Sequence, residues 1–153
     1  MAIRKIVKVG DEVLTKKCRK VDAADKKVIE LLDDLRDTLK SVSGVGLAAP
    51  QVGVLKRVAV IEMPEDGGYF ELINPEIIEQ SGSQVDNEGC LSLPGQYGSV
   101  ERPNSVKVKT FTRDGSQVVL EGEGLFARAA CHEVDHLDGK MFMRLVTKWV
   151  DEE

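Results

Sequence analysis

Histidine is scarce here: His132 and His136 are the only two in 153 residues. No site in this chain can therefore gather three imidazoles. Cysteine is scarce as well. Its three copies, Cys18, Cys90 and Cys131, are an odd number with no apolar leader segment ahead of them; no disulfide framework is read, and reduced thiols in a cytoplasmic setting are expected. No apolar run nears the roughly 20 residues that a bilayer-spanning helix needs, so no membrane partner is expected. Nor is there a positive excess. The net charge is −5 with acid and base interspersed, which gives no general affinity for nucleic acid and no direct reading of it. The basic cluster at residues 16–20 reads as a solvated face. Internal repeats and low-complexity tracts are missing too. What remains is a chain with 42% hydrophobic residues, enough to bury a core, and a single domain over residues 1–153 is the expectation.

Both histidines fall in one run, Cys-His-Glu-Val-Asp-His, at residues 131–136. On a helix, positions four apart lie about 40° apart around the axis and one turn apart along it, so both imidazoles can reach one ion. Glu133 sits about 80° round from the midpoint of that pair, where a carboxylate can take a proton from metal-bound water without being a ligand. The plainer reading is a chance HExxH in a polar helix, with both rings solvated or satisfied by hydrogen bonds. A third ligand would decide between the two. The extended three-histidine protease pattern fails at Phe142, where its last histidine would stand, and a glutamate well downstream has no room before Glu153. A thiolate from upstream would complete a tetrahedral N/S site and leave one position open. Cys131 points about 120° away from the midpoint of the pair and reads as packing inward. Cys18, in a basic run, is a weak context for ligation. Cys90, in Glu-Gly-Cys-Leu-Ser, is left, against the alternative of a small buried hydrophobe.

Elsewhere the pattern is that of an α+β chain. Val28, Leu31, Leu32, Leu35 and Leu39 recur at spacings of three and four and predict an amphipathic helix over residues 22–41, with Asp22 or Asp25 as its cap. The stretch ahead of it either pairs as an edge strand or wraps the surface. Residues 57–62, 69–73 and 75–80 read as strands. Val106 and Val108 alternate with lysines, and Arg113-Asp114-Gly115 turns the chain into a partner strand at residues 118–120, a hairpin. A last helix is predicted over residues 125–138, ended by Gly139. Strands before a single late helix imply mostly antiparallel sheets packed around that helix, with an N-terminal amphipathic helix. Residues 86–103, rich in glycine and proline, are expected to be irregular, with Glu88 and Arg102 as a structural ion pair. In the run of residues 44–51, Gly44 and Gly46 bracket Val45 and allow another chain to approach the main chain closely, which suits substrate binding; a plain turn is the alternative. A nucleotide loop is a poor fit, because the third glycine and the lysine with serine or threonine are missing and Pro50 interrupts. The Gln51 amide either donates to a developing oxyanion or bonds a neighbouring loop. Leu125 and Ala129 fall on the histidine side of the last helix and form an apolar wall there, unless both are ordinary core residues. Arg128, on the flank, has three readings: solvent, an acid partner, or substrate.

Three blocks in this order, GVGLAAPQ, EGCLS and CHEVDHLDG, resemble the signature motifs of the peptide deformylases. The resemblance implies a short bacterial-type catalytic domain that hydrolyses the N-terminal formyl group from formyl-methionyl nascent polypeptides and releases formate. It implies Cys90, His132 and His136 as ligands and Glu133 as the acid/base residue. Gln51 and the Leu91 N–H would hold the oxyanion, and the backbone of Gly44, Val45 and Gly46 would pair with an extended substrate. A methionine side chain would fit the wall of Leu125 and Ala129. Ligand preference alone suits zinc; the resemblance implies Fe(2+), replaceable by zinc, nickel or cobalt. The chain departs from the family at Cys131, where glutamine is usual, and in ending soon after Trp149, without the long C-terminal helix some bacterial members dock on the ribosome; proximity to the ribosome is expected without that contact. Two other classes compete: an HExxH zinc endopeptidase, and a non-catalytic binding module stapled by metal.

Overall fold

The computed structural model describes residues 2–150. Its helix α1, Lys26–Lys40, buries the expected stripe of Val28, Leu31, Leu32, Leu35 and Leu39. The cap is Asp25, whose side chain accepts from the Lys27 N–H at 2.8 Å. Asp22 closes the preceding turn by accepting from the Ala24 N–H, so the helix begins later than the periodicity suggested. An antiparallel sheet in the order β1 (Gly46–Ala48), β2 (Val58–Glu62), β3 (Tyr69–Ile73) lies beneath it. Leu47, Val58, Val60 and Ile73 meet the α1 stripe in one core cluster. Ala48, Ala59, Ile61 and Leu72 point the other way, into a second cluster with α2, Leu125–Leu137. A strand covered on both faces explains why Val58 to Ile61 is an unbroken apolar run rather than an alternating one.

Two further antiparallel sheets complete the α+β architecture. One has the order β4 (Glu76–Ser81), β7 (Ser105–Phe111), β8 (Gln117–Glu123) and contains the expected hairpin. The other has the order β5 (Gln84–Cys90), β6 (Leu93–Arg102), β9 (Lys148–Trp149) and corrects the expectation of an irregular segment at residues 86–103. Its glycines mark close packing rather than a loop. A Cβ on Gly89 would lie 2.5 Å from the Tyr97 ring, and one on Gly98 would lie 2.5 Å from the Val146 side chain. The pairing register shifts between Glu88 and Cys90, a bulge that re-aims the strand end carrying the thiol.

Of the two readings of the N-terminal stretch, the structure takes the second: residues 2–11 wrap the surface and lead into a 3-10 turn at Glu12–Thr15. Lys16, Lys17, Arg19 and Lys20 are exposed around a buried Cys18. No helix among the described residues is long and apolar enough to cross a membrane.

Candidate metal centre and pocket

Helix α2 is buried on most of its circumference, and its turn spacing puts His132 and His136 on one face with ring centroids 4.8 Å apart. Their Nε2 atoms approach to 3.2 Å. The β5 bulge brings Cys90 Sγ to 3.3 Å from His136 Nε2, and the three ligand atoms all lie within 4.8 Å of one another. A tetrahedral ion with metal–nitrogen bonds of about 2.0–2.1 Å and metal–sulfur bonds of about 2.3 Å needs edges of roughly 3.3–3.6 Å; the edges of 3.2 and 3.3 Å at His136 come close to this, and two imidazoles with one thiol are donors such an ion takes. Cys18 and Cys131 lie outside the group and pack in the core. Burial pushes both of those thiols up to about 11, away from the thiolate form a ligand needs.

Behind His132 stands a charged cluster. The His132 Nδ1–H donates to Glu88 at 2.6 Å. The same carboxylate accepts from Arg102 at 2.7 and 3.0 Å and from Arg128 at 2.6 Å. Arg102 also reaches Asp135 at 2.8 Å, one turn along α2. Burial alone would raise the Glu88 pKa, but the bonds from His132 and Arg102 overcome it and hold the carboxyl well below the usual range. An ionised Glu88 holds a proton on His132 Nδ1 and turns Nε2 towards His136. Of the three readings of Arg128, the structure shows pairing with an acid, together with a bond to the Val100 carbonyl at 3.0 Å. The Glu88–Arg102 pair appears as expected, but the grip of Glu88 on His132 was missed. Its one signal in the sequence is the spacing of Glu88 and Cys90, two apart on a strand and so on one face.

Burial pushes His132 down, but its bonds to Cys90 and Glu88 raise it to about 10. Burial and the neighbouring His132 hold His136 well below the ordinary imidazole value. The Phe142 ring lies 5.8 Å from that of His132, and Trp149 of β9 packs edge-on against Phe142, closing the back of the site.

Glu133 is 3% exposed. Its Oε1 has no hydrogen-bond partner among the described residues, and its Oε2 fills the space a side chain at Gly46 would take, 2.5 Å from an ideal Cβ. Burial pushes this carboxyl up to about 7, against the pull of the charge on His132, a value suited to giving and taking protons near neutrality. Gln51 accepts from the Ala48 N–H at 3.0 Å and donates to Ser92 Oγ at 3.2 Å and Cys90 Sγ at 3.4 Å. Its amide therefore points at the thiol while tying down the neighbouring turn.

These groups open on a cavity of about 430 Å³. Its walls include Gly44, Val45, Gly46, Gln51, Cys90, Leu91, Leu125, Ala129, His132 and Glu133; His136 lies behind them, 1% exposed. Leu125 is 42% exposed at the mouth, and Ala129 is buried. The Leu91 side chain packs over Gly44, whose Cβ would lie 3.0 Å from it. Strand β1 is the outer strand of its sheet, so its free edge borders the cavity as a template for an extended peptide. Tyr97, not singled out in the sequence, also lines the cavity.

An HExxH helix laid in an α+β shell, with a thiol where a third imidazole would otherwise stand and a buried carboxyl beside the cluster, defines a metal-dependent hydrolase. Residues 3–151 match the family model described as polypeptide deformylase. A peptide deformylase of Acetivibrio thermocellus is 52% identical over 100% of this chain and 89% of its own length, and peptide deformylase 1 of Bacillus subtilis is 49% identical over 100% and 95%. A solved class I type b peptide deformylase of Acinetobacter baumannii, bound to Met-Ala-Ser, superposes with a TM-score of 0.90 at 34% identity over 95% of this chain and 99% of its own. The chain belongs to the polypeptide deformylase family.

Proposed function

We propose that this chain, working over residues 1–153 as one catalytic domain, removes the N-terminal formyl group from formyl-methionyl nascent polypeptides, with Cys90, His132 and His136 holding the metal. The observation that carries this reading is the convergence of one thiol and two Nε2 atoms within 4.8 Å beside a carboxyl that burial poises near neutrality. A divalent cation held there supplies Lewis acidity and lowers the pKa of water towards neutrality. The N₂S donor set suits zinc by preference; Fe(2+) is the ion proposed, with zinc, nickel or cobalt able to replace it.

The chain's own groups divide the remaining work. Glu133 takes a proton from the attacking water at its unpartnered Oε1 and returns it to the leaving amine. Water adds to the formyl carbon, the C–N bond breaks, and formate and a free N-terminus result. The Gln51 amide and the Leu91 N–H receive the charge that gathers on the carbonyl oxygen. The main chain of Gly44 and Val45, together with the free edge of β1 from Gly46, pairs with the peptide, and Leu125 and Ala129 receive the methionine side chain. The Met-Ala-Ser bound to the Acinetobacter baumannii relative has the sequence such a product would have. The setting is cytoplasmic, in proximity to the ribosome. The endopeptidase and staple readings have no support in the family.

One assay tests the whole. The purified protein is expected to carry about one metal per chain, to release formate from formyl-Met-Ala, and to leave internal peptide bonds intact. Glu133→Gln is expected to keep its metal and lose hydrolysis; Cys90→Ala is expected to lose metal affinity. Full metal content and turnover in Cys90→Ala would end the three-ligand assignment.

A further inference from the structure

Among the described residues, the segment before α1 contributes no strand to the three sheets, yet its main chain bonds the carbonyls of Gln51, Ser92 and Leu137, in or beside the stretches assigned to the site. The Val7 N–H donates to the Gln51 carbonyl at 2.7 Å, the Val9 N–H to the Ser92 carbonyl at 2.8 Å, and the Cys18 N–H to the Leu137 carbonyl at 2.8 Å. The two-residue spacing of Val7 and Val9 lets both donors face one side, as along a strand. Between them, Lys8 Nζ reaches the Leu91 carbonyl at 3.4 Å. Further on, the chain passes so close to the end of α2 that a Cβ on Gly139 would lie 2.6 Å from the Thr15 carbonyl oxygen. Both ends of this path are anchored. The Ala2 N–H and the Arg4 guanidinium bond Asp34 of α1 at 2.7 and 2.8 Å, and Cys18 is buried in the core cluster that contains Leu137.

We infer that residues 7–18 are a positioning belt for the reaction centre. The Val7 tie falls on the residue assigned to the oxyanion, the Val9 tie two residues past the assigned thiol ligand, and the Cys18 tie one residue past the second imidazole. Three stretches remote in sequence are thereby held at fixed separation by residues that are not among those lining the cavity. Small displacements of such groups are costly to turnover. The inference rests on the assignments of Gln51, Cys90 and His136 proposed above. Coupling is reciprocal: if the belt favours the loaded centre, loading favours the closed belt.

Two measurements test it. In the wild-type protein, cobalt(II) loading is expected to slow amide hydrogen exchange at Val7, Val9 and Cys18 about tenfold; slowing confined to α2, with these three amides unchanged, would overturn the belt. Val7→Pro removes one donor, and its kcat on formyl-Met-Ala is expected to fall about fivefold to tenfold, with KM within twofold and a shifted cobalt absorption band. Val7→Ala keeps the N–H and is expected to stay within twofold of wild type. Wild-type turnover in Val7→Pro, or an equal fall in Val7→Ala, counts against positioning through the N–H; should Val7→Pro not fold, the exchange experiment decides alone. A wild-type protein that takes up no metal or releases no formate would instead sink the functional assignment beneath it.

Discussion

On the surface, Arg113 in the β7–β8 turn bonds Glu71 of β3 at 2.6 Å and Asp33 of α1 at 2.7 Å, with its side chain 37% exposed. In the interior, Arg102 and Arg128 converge on Glu88 with side-chain exposures of 4–6%. Both clusters set guanidinium forks on carboxylates, but the surface one fastens the β7–β8 turn to β3 and α1 and runs on to Tyr69 rather than to the two histidines. The interior one continues through Glu88 to His132 Nδ1. Arg113 works in screening water and can be lost cheaply. Arg102 and Arg128 have no water to turn to, so the carboxylate between them stays charged and fixes a ring orientation. A network of this kind gives chemistry only where it is both dehydrated and attached to a reacting group.

The sharpest way to break this contrast is Glu88→Ala, which strands two buried guanidinium groups. We expect a loss of about 3–5 kcal/mol in denaturant unfolding and a fall of about 10- to 100-fold in metal affinity by competition titration; an unchanged affinity would reduce the interior cluster to a staple like the surface one. Glu88→Gln probes its charge. Folding depresses this carboxyl below its ordinary value of 4.5, so the ionised form is favoured in the folded state. Its stabilisation is whole above pH 4.5 and is lost as pH falls through the folded value. Denaturation midpoints from pH 7 to pH 3 should therefore show wild type ahead of Glu88→Gln at neutral pH and the two converging in acid; a constant gap would deny that the charge matters. Arg113→Ala should do least, within about 1 kcal/mol of wild type and with turnover unchanged. A loss of activity there would show that the surface cluster also reaches the site.

Local pattern made much of this legible. The α1 stripe, the β7–β8 hairpin and the two histidines one turn apart each announce themselves within one continuous stretch of chain. The scarcity of histidine narrowed the third ligand to a thiol, and the structure puts Cys90, rather than Cys18 or Cys131, against both rings. What stayed hidden depends on contacts between distant residues. The β5–β6 hairpin reads as a loop because Gly89 and Gly98 make room for Tyr97 and Val146, and a glycine does not say which neighbour it admits. Glu88 finds His132 forty-four residues away. The N-terminal path is harder still, since its ties are made by main-chain N–H groups that every residue but proline possesses.

Gly46 imposes a lasting restriction on anyone who would re-engineer the entrance. Leu125, 42% exposed at the mouth, offers free surface to a replacement. Position 46 does not, because the volume that even an alanine methyl would occupy already belongs to the Glu133 carboxylate. Broader selectivity has to be sought at the rim, with the floor left as it is.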